Sequence, residues 1–374
     1  MVKTEVDTVD GAQAADARRA ARAAERAERL AAKQRGEAER LVRRQQAAAR
    51  REAERLELAA IAAKAYEHYR FVRDWARRMS ERTGGAAPLT AHEQQVVTAL
   101  AHLWEATPET IGTLRHRCEP LSGVRAADYD DPSGDLVARL RRELAVLRKQ
   151  LRVDLLVPEP KVLGGFGYLR AGERYNEDTL RHFHVLAALQ DAAVLPEFRR
   201  PAARRLVWEI GGGWGGFAYQ FKTLCPNVTY VMTGVPDLFL LSAVYLMTVY
   251  PAARCCVFDP AAPDDVWREW ETTDFVFVPE RALPALRPPR VDLTLDVMAL
   301  RHMDADRVSA HVQRAFDVGS RYFYSALPAG AAEEARNVWQ AIERLFWPNP
   351  VPPRGEPGHT PEAAHLVGWR RLLV

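Results

Sequence analysis

The chain of 374 residues is long enough for two or three domains and for a complete α/β core. Hydrophobic residues make up 48% of it and charged residues 27%, which is the balance of an ordinary soluble protein. No run approaches the ~20 consecutive apolar residues of a membrane span. Residues 1–7 lack the apolar core of a signal peptide, so we expect a cytoplasmic protein with no membrane partner.

The positive charge is concentrated in one segment. The net charge is +3, yet residues 18–56 alone carry 13 Lys or Arg against 6 Glu, which leaves the rest of the chain net acidic. We therefore do not expect the core to bind nucleic acid. The four cysteines show neither metal-ligand spacing nor a disulfide framework. Of these, Cys118 and Cys225 stand apart, and buried thiols are the expectation for the adjacent Cys255 and Cys256.

The first segment predicts a long helix. Residues 12–82 are rich in Ala, Arg and Glu, and Gly36 is almost the only helix breaker. Pairs such as Glu25 and Arg29 stand at helical spacing and support an exposed helix. No a/d heptad is sustained, so a coiled coil has little support. We interpret residues 1–85 as a solvated helical arm, with self-association into a homo-oligomer or docking of a partner as the alternative.

The next segment, residues 86–160, predicts a helical cap region. Gly84–Pro88 marks a break before it. Thr90 and Glu93 form a capping-box pattern at the start of one helix, and Thr107-Pro108 begins another. Five leucines further along fall on one helical face: Leu136, Leu140, Leu144, Leu147 and Leu151.

Residues 161–195 combine an aromatic loop, Leu163–Tyr168, with a helix predicted after Tyr175–Thr179. This helix carries His182 and His184. The density of polar and aromatic groups just before a glycine-rich stretch favours a lid or a substrate wall. Simple packing of the tyrosines between two domains is the alternative.

The most informative stretch is residues 206–216, LVWEIGGGWGG. It predicts a buried strand, then a turn with five glycines in six positions, then a helix. This arrangement allows a nucleotide to approach the backbone closely, because no Cβ stands in the way. Gly211-x-Gly213-x-x-Gly216 matches the dinucleotide fingerprint. Glu209-x-Gly211-x-Gly213-x-Gly215 matches the S-adenosylmethionine (SAM) loop of class I methyltransferases.

Glu209 distinguishes between these two templates. An acid at the end of the strand repels a pyrophosphate, whereas it attracts the ammonium group of SAM. We therefore favour SAM as the cofactor. A dinucleotide and a purely structural glycine turn remain the alternatives.

From residue 206 onward the predicted elements alternate. Strands are expected at 206–210, 228–232, 254–258, 274–278, 291–295 and 321–325. Helices are expected at Pro236–Tyr250, from about Ala305, and at 332–346, with residues 368–374 completing the sheet and Pro348–Pro357 as a surface loop. This alternation predicts an α/β fold with a parallel sheet and helices on both faces. We interpret residues 161–374 as one Rossmann-like domain.

Three motifs resemble a bacterial family of sugar O-methyltransferases: Val207–Gly216, Val231 followed by Pro236-Asp237, and Val291–Leu293. Tyr175–Thr179 is similar to the upstream segment of that family. The resemblance covers about residues 160–330 and leaves the N-terminal arm outside. It implies a SAM-dependent class I fold and a hydroxyl acceptor on a sugar, a glycan or a related small molecule.

Two departures from the family affect the expected site. The family usually has an Asp after the second strand, where it holds the ribose hydroxyls, and Gly234 stands in that place. Asp237 is expected either to compensate for this loss or only to cap the next helix. The candidates for cofactor binding are therefore Glu209, Gly211, Gly213, Gly215, Asp237 and Pro279.

The second departure concerns the residue that takes the proton. The family tends to show Ser-x-x-Glu-Met after the fourth strand. Here Ala299 stands in the Ser position and His302 stands in the Glu position. A histidine can act as a general base near neutral pH, although an isolated histidine is also often structural. We expect Asp296 to orient rather than to deprotonate. The catalytic candidates are His302, Asp296 and His182, with His184 as a further base.

Two functions from different classes are therefore compared. The first is a SAM-dependent O-methyltransferase, which the intact Glu209 motif favours. The second is a non-catalytic methyltransferase-like protein that binds a partner through its arm, which Gly234 and Ala299 favour. Asp292 and Asp296 do not establish the carboxylate cluster that a metal requires, so we expect a metal-independent enzyme.

Overall fold

A computed structural model describes residues 6–81, 89–131, 133–150, 153–200, 202–328, 332–352 and 363–371. The chain forms two compact units, residues 1–60 and residues 61–374. The three-part division at residues 85 and 160 stays a prediction, and the break at Gly84–Pro88 lies outside the described residues. Within the described ranges, no helix has the length and apolar character needed to cross a membrane.

The first unit is the N-terminal part of one helix, α1 (Val6–Glu81). Its described side chains are almost all exposed, and even Leu30 and Leu41 are each 58% exposed. Ion pairs within the helix include Glu25 with Arg29, 2.7 Å apart. The long helix predicted from composition is confirmed for these residues, because Ala, Arg and Glu form helix without needing a buried face.

The second unit begins with the last turns of α1, where Tyr69 and Trp75 are buried although Phe71 is exposed. The Tyr69 hydroxyl donates to the Leu103 carbonyl at 2.8 Å, and Trp75 Nε1 donates to the Phe258 carbonyl at 2.8 Å. Four further helices follow: α2 (Ala91–Leu100), α3 (Pro108–Gly112), α4 (Glu119–Ser122) and α5 (Asp135–Gln150).

The capping box at the start of α2 is confirmed. Thr90 Oγ1 accepts from the Glu93 backbone N–H at 3.1 Å, and Glu93 Oε2 accepts from the Thr90 backbone N–H at 2.7 Å. These two bonds satisfy donors that the helix itself leaves unpaired. They also fix the end of α2 that carries His92.

A short hairpin, β1 (Tyr168–Arg170) and β2 (Glu173–Tyr175), replaces part of the aromatic loop expected from sequence. It leads into α6 (Glu177–Asp191) and α7 (Leu195–Arg199). Asn176 caps α6 by accepting from the Thr179 backbone N–H at 2.9 Å. Helix α6 buries both polar and apolar side chains.

The main sheet has eight strands among the described residues: β3 (Arg205–Ile210), β4 (Val228–Gly234), β5 (Cys255–Val257), β6 (Phe275–Pro279), β7 (Leu293–Val297), β8 (Tyr322–Pro328), β9 (Phe346–Val351) and β10 (Ala363–Arg370). Their order is β5-β6-β4-β3-β7-β8-β10-β9. The pairs from β5 through β8 are parallel, whereas β10 is antiparallel to both β8 and β9.

Helices connect the parallel strands: α8 (Gly216–Leu224), α9 (Phe239–Val249), α10 (Ala305–Asp317) and α11 (Ala332–Leu345). Helix α8 packs against α6 and α9, while α10 packs against α11. The sheet order runs outward from β3 in both directions, and right-handed crossovers then place the two helix groups on opposite faces. The predicted α/β sheet is confirmed, and it is parallel from β5 through β8 but mixed at the edge formed by β10 and β9.

The loop predicted at Pro348–Pro357 is wrong in its first part, because residues up to 351 form β9. This strand pairs only with β10 and lies at the edge of the sheet. An edge strand tolerates prolines such as Pro348 and Pro350, since a missing N–H that faces outward breaks no ladder bond. Residues 353–357 lie outside the described ranges.

Candidate functional site

A cavity of about 340 Å³ opens at the carboxyl ends of β3, β4 and β7. Open parallel sheets bind their ligands at this edge. The cavity brings together five of the predicted site residues: Glu209, Gly211, Gly213, His182 and His302. Five other predicted residues do not line it: Gly215, Asp237, Pro279, Asp296 and His184.

The glycine turn between β3 and α8 brings its backbone to the cavity. Gly211 has a φ of +68°, and a Cβ added there would lie 2.6 Å from the Cβ of Ala299. Gly213 has a φ of +51°, and a Cβ there would meet only the Gly211 carbonyl, at 3.9 Å. Gly211 is therefore needed for close packing against the loop after β7, whereas Gly213 leaves open space beside its backbone.

Glu209 lies at the floor of the cavity and is only 3% exposed. Its Oε2 accepts a hydrogen bond from the Tyr230 hydroxyl at 3.0 Å. No Lys, Arg or His of the described residues forms an ion pair with it. Burial consequently raises the pKa of Glu209 to about 8. A buried acid without a cation partner fits a ligand that brings a positive charge of its own.

A buried ion cluster packs against the glycine turn, and the sequence did not predict this cluster. Arg115, 1% exposed, pairs with Glu159 at 2.8 Å and with Asp178 at 2.6 Å. Its guanidinium lies 3.8 Å from the ring of Trp214, the aromatic residue within the glycine turn. The two carboxylates raise the pKa of Arg115 although burial opposes them, so the group stays charged. The cluster thereby joins the cap helices, α6 and the turn.

Helix α6 contributes one wall of the cavity through Asp178, Arg181 and His182. Arg181 Nη1 donates to Asp178 Oδ1 at 2.7 Å, so this guanidinium is held by the same carboxylate that pairs with Arg115. His182 is 7% exposed, and its Nδ1 has no hydrogen-bond partner in the described structure. Burial lowers the pKa of His182 to about 4, so the imidazole is neutral at pH 7 and able to accept a proton.

His302 lines the cavity from the loop after β7. Its ring stacks on that of His92 with the centroids 3.7 Å apart. Its Nε2 lies 2.8 Å from Arg301 Nε, which donates to it. Burial, together with His92 and Arg301, lowers the pKa of His302 to about 4. His302 is therefore neutral as well, but one of its two nitrogens is already engaged.

Asp296 is completely buried beneath this loop. It accepts from the backbone N–H groups of Ala299 at 2.8 Å and Leu300 at 3.0 Å, and from Ser325 Oγ at 2.7 Å. Burial raises its pKa to about 6 despite these bonds. The carboxylate thus fixes the loop that leads to His302, which matches an orienting role.

The region of β4 shows how the Gly234 departure is accommodated. Gly234 lines the cavity, and an added Cβ there would meet no atom within 4 Å. Asp237 Oδ1 instead accepts from Trp104 Nε1 at 3.0 Å, and this residue lines a second cavity of about 790 Å³. Pro279 is buried at the end of β6, opposite Gly234, and lines neither cavity.

A second ion cluster lies between the two cavities. Arg307 pairs with Glu93 at 2.8 Å and with Glu280 at 2.6 Å. His311 Nε2 lies 2.8 Å from Glu280 Oε1. These partners lower the pKa of Glu280 to about 2 although burial opposes them. Glu280 directly follows β6, and an acid after a predicted strand is the signal that would have identified it.

His184 does not line the cavity, and its Nε2 lies 3.3 Å from Glu143 Oε1. No group of three or more His, Cys, Asp or Glu that could hold a metal ion occurs within the described ranges. The four cysteines are free. Cys118 and Cys225 are buried, while Cys255 and Cys256 are half-buried.

The described sheet is a Rossmann-like α/β sheet, with the antiparallel strand β10 near one edge and a helical region before it in the chain. The glycine turn stands after β3 at the centre of that sheet. The fold class predicted from sequence is therefore confirmed.

Several solved methyltransferases are similar to this chain. The magnesium protoporphyrin IX methyltransferase ChlM from Synechocystis PCC 6803, solved with SAM, is 10% identical over 53% of this chain and 86% of its own, with a TM-score of 0.35. The N-methyltransferase NodS from Bradyrhizobium japonicum WM9, solved with S-adenosyl-L-homocysteine, is 14% identical over 52% and 92%, with a TM-score of 0.33. The bifunctional kinase-methyltransferase WbdD is 12% identical over 54% and 42%, with a TM-score of 0.35.

No protein-family model and no curated protein matches the sequence. The structural similarities are distant in both identity and TM-score. The function of this chain is therefore argued from the geometry of its own cavity.

Proposed function

We propose that this protein binds SAM and transfers its methyl group to a hydroxyl of a sugar, a glycan or a related small molecule. The observation that carries the proposal is Glu209, a buried acid without a cation partner in the described structure, beside an open glycine turn. The ammonium group of SAM would supply the missing charge. A pyrophosphate would instead meet a carboxylate, which is unfavourable for a dinucleotide.

Each part of SAM is assigned here to particular residues around the cavity. Glu209 would hold the ammonium, and the backbone at Gly213 would lie against the methionine portion, where no side chain intervenes. When bound, SAM supplies a methyl group that is activated by its positively charged sulfur. The protein must then align the acceptor oxygen with that methyl group and remove the hydroxyl proton.

We propose His182, rather than His302, as the group that takes this proton. Both lie at the cavity and both are neutral at pH 7, because their pKa values are lowered to about 4. His302 Nε2 already receives the Arg301 hydrogen bond, whereas His182 Nδ1 has no partner in the described structure. We therefore assign the proton to His182, with His302 and its stacked neighbour His92 as part of the acceptor wall.

The proposal is tested by methyl transfer from SAM labelled in its methyl group to a panel of sugars and glycans, with product analysis to locate the new methyl. His182→Asn should lower the rate by about 10²–10⁴-fold, the usual contribution of a general base. Its affinity for S-adenosylhomocysteine should change little, because Asn retains a neutral polar side chain. With the unaltered protein, the rate should fall only as the pH drops towards about 4.

His302→Asn serves as the matched variant at the second histidine that lines the cavity. A smaller loss than that of His182→Asn is expected. Full activity of His182→Asn together with a large loss in His302→Asn would contradict the assignment and return the role to His302. A methyl group found on nitrogen or carbon in every accepted product would contradict O-methylation.

A further inference from the structure

The two cavities of the second unit share a neck formed by Gly234, Val235 and Glu280. Gly234 ends β4, and the neighbouring strand β6 ends at Pro279 directly opposite it. Glu280 is the next residue, so its side chain starts about one strand spacing, ~4.8 Å, from the end of β4. The neck therefore has no side chain from β4 but has a carboxylate from β6.

There is empty space at Gly234, the position where the family that this sequence resembles carries an acid. A Cβ at Gly234 would meet no atom within 4 Å, so no other side chain has filled the space. Asp237, the nearest acid along the chain, is held by the Trp104 indole at 3.0 Å and does not line the first cavity. Of the acids lining that cavity, Glu280 is the one that also borders Gly234 at the neck.

The carboxylate of Glu280 is fixed in place but not saturated. Its Oε1 accepts from Arg307 Nε and lies against His311 Nε2, both at 2.8 Å, while its Oε2 accepts from Arg307 Nη2 at 2.6 Å. An ionised carboxylate can accept about four hydrogen bonds. Acceptor capacity therefore remains on Glu280 for a hydroxyl that enters the neck.

We propose that Glu280 replaces the missing acid of β4 and accepts a hydrogen bond from a ribose hydroxyl of SAM at this neck. The inference rests on the proposed function, since it assigns one part of the same ligand. A glutamate on the adjacent strand is one methylene longer than an aspartate, which helps it to span the distance from β6. The carboxylate would thus come from the end of β6, the strand that pairs with β4, and not from β4 itself.

The test is calorimetry with two ligands, S-adenosylhomocysteine and its 2′,3′-dideoxyribose counterpart. Glu280→Gln should weaken binding of the first by about tenfold or more, the usual effect of losing a hydrogen bond to a charged group. It should leave the affinity for the dideoxy ligand nearly unchanged, because that ligand has no hydroxyl to donate. Glu280→Asp, which keeps the charge for Arg307 and His311, should show the same selectivity if Glu280→Gln fails to fold.

A rescue variant makes the test specific to this position. Gly234→Asp in the Glu280→Gln background restores an acid on β4, in a space that can hold its Cβ, and should recover affinity for S-adenosylhomocysteine. Equal losses for both ligands in the Glu280 variants would overturn the inference alone. No binding of S-adenosylhomocysteine by the unaltered protein would overturn the proposed function and this inference with it.

Discussion

Glu209 is a buried carboxyl whose surroundings favour a cationic ligand. Its neighbours supply a single hydroxyl donor, Tyr230, and no positive charge from the described residues. The carboxyl therefore holds a proton up to an unusually high pH, since its pKa is raised to about 8. A cationic ligand reverses this preference because it stabilises the ionised form.

The consequence at the residue scale is a pH-dependent affinity. At pH 7 the free protein has Glu209 mainly protonated, so binding of S-adenosylhomocysteine through its ammonium should release a proton. Affinity should rise between pH 6 and pH 8, by up to about tenfold per pH unit, and level off above pH 8. Calorimetry at several pH values, in buffers of different ionisation enthalpy, measures both the affinity and the proton release.

Glu209→Gln is the control for this pH dependence. It removes the titrating group while keeping the shape of the side chain, so its weaker binding should not vary over the same pH range. Binding by the unaltered protein that is equally tight at pH 6 and pH 8 would show that Glu209 does not meet a cation.

At the scale of elements, the glycine turn could be predicted because all of its information is local. Strand β3, the turn and α8 are contiguous in sequence, and Glu209 is the last residue but one of the strand, two residues before Gly211. The apolar run of the strand and the spacing of the glycines are therefore sufficient to identify the glycine turn. The long helix α1 was predictable for the same reason, since its residue types favour helix along its whole length.

The ion clusters could not be predicted, because their members are distant in sequence. Arg115 is 44 residues from Glu159 and 63 from Asp178, and only the folded chain brings them together. Arg307 is 214 residues from Glu93. Charged residues of this kind are usually solvated, so nothing in the local pattern indicates burial. Strand β9 was missed for a different reason, because prolines indicate a loop unless the strand is known to be at an edge.

At the scale of the whole molecule, the site belongs entirely to the second unit. Both cavities are lined by residues from Ser80 onward. The last turns of α1 are part of this unit, because Tyr69 and Trp75 are buried in it. The first unit carries the excess of basic residues and has few buried side chains. Self-association or partner docking through that helix stays a prediction.

Deletion of residues 1–60 should therefore leave affinity for S-adenosylhomocysteine unchanged. The cut falls between the two units and keeps every described residue that lines a cavity. The melting temperature and calorimetric affinity of the shortened chain check this expectation, and sedimentation velocity of both chains tests the self-association hypothesis. A shortened chain that cannot fold, or that loses the ligand, would contradict the independence of the second unit.

The central claim is that Glu209 and the glycine turn hold SAM. Titration calorimetry of the full-length protein with SAM, S-adenosylhomocysteine and NAD at pH 8 tests this, because about half of the Glu209 carboxyl is ionised there even before the ligand binds. We expect binding of both sulfur ligands, about tenfold or more weaker in Glu209→Gln, the effect expected when a bond to a charged group is lost. Tight binding of NAD with no measurable affinity for SAM would contradict the account.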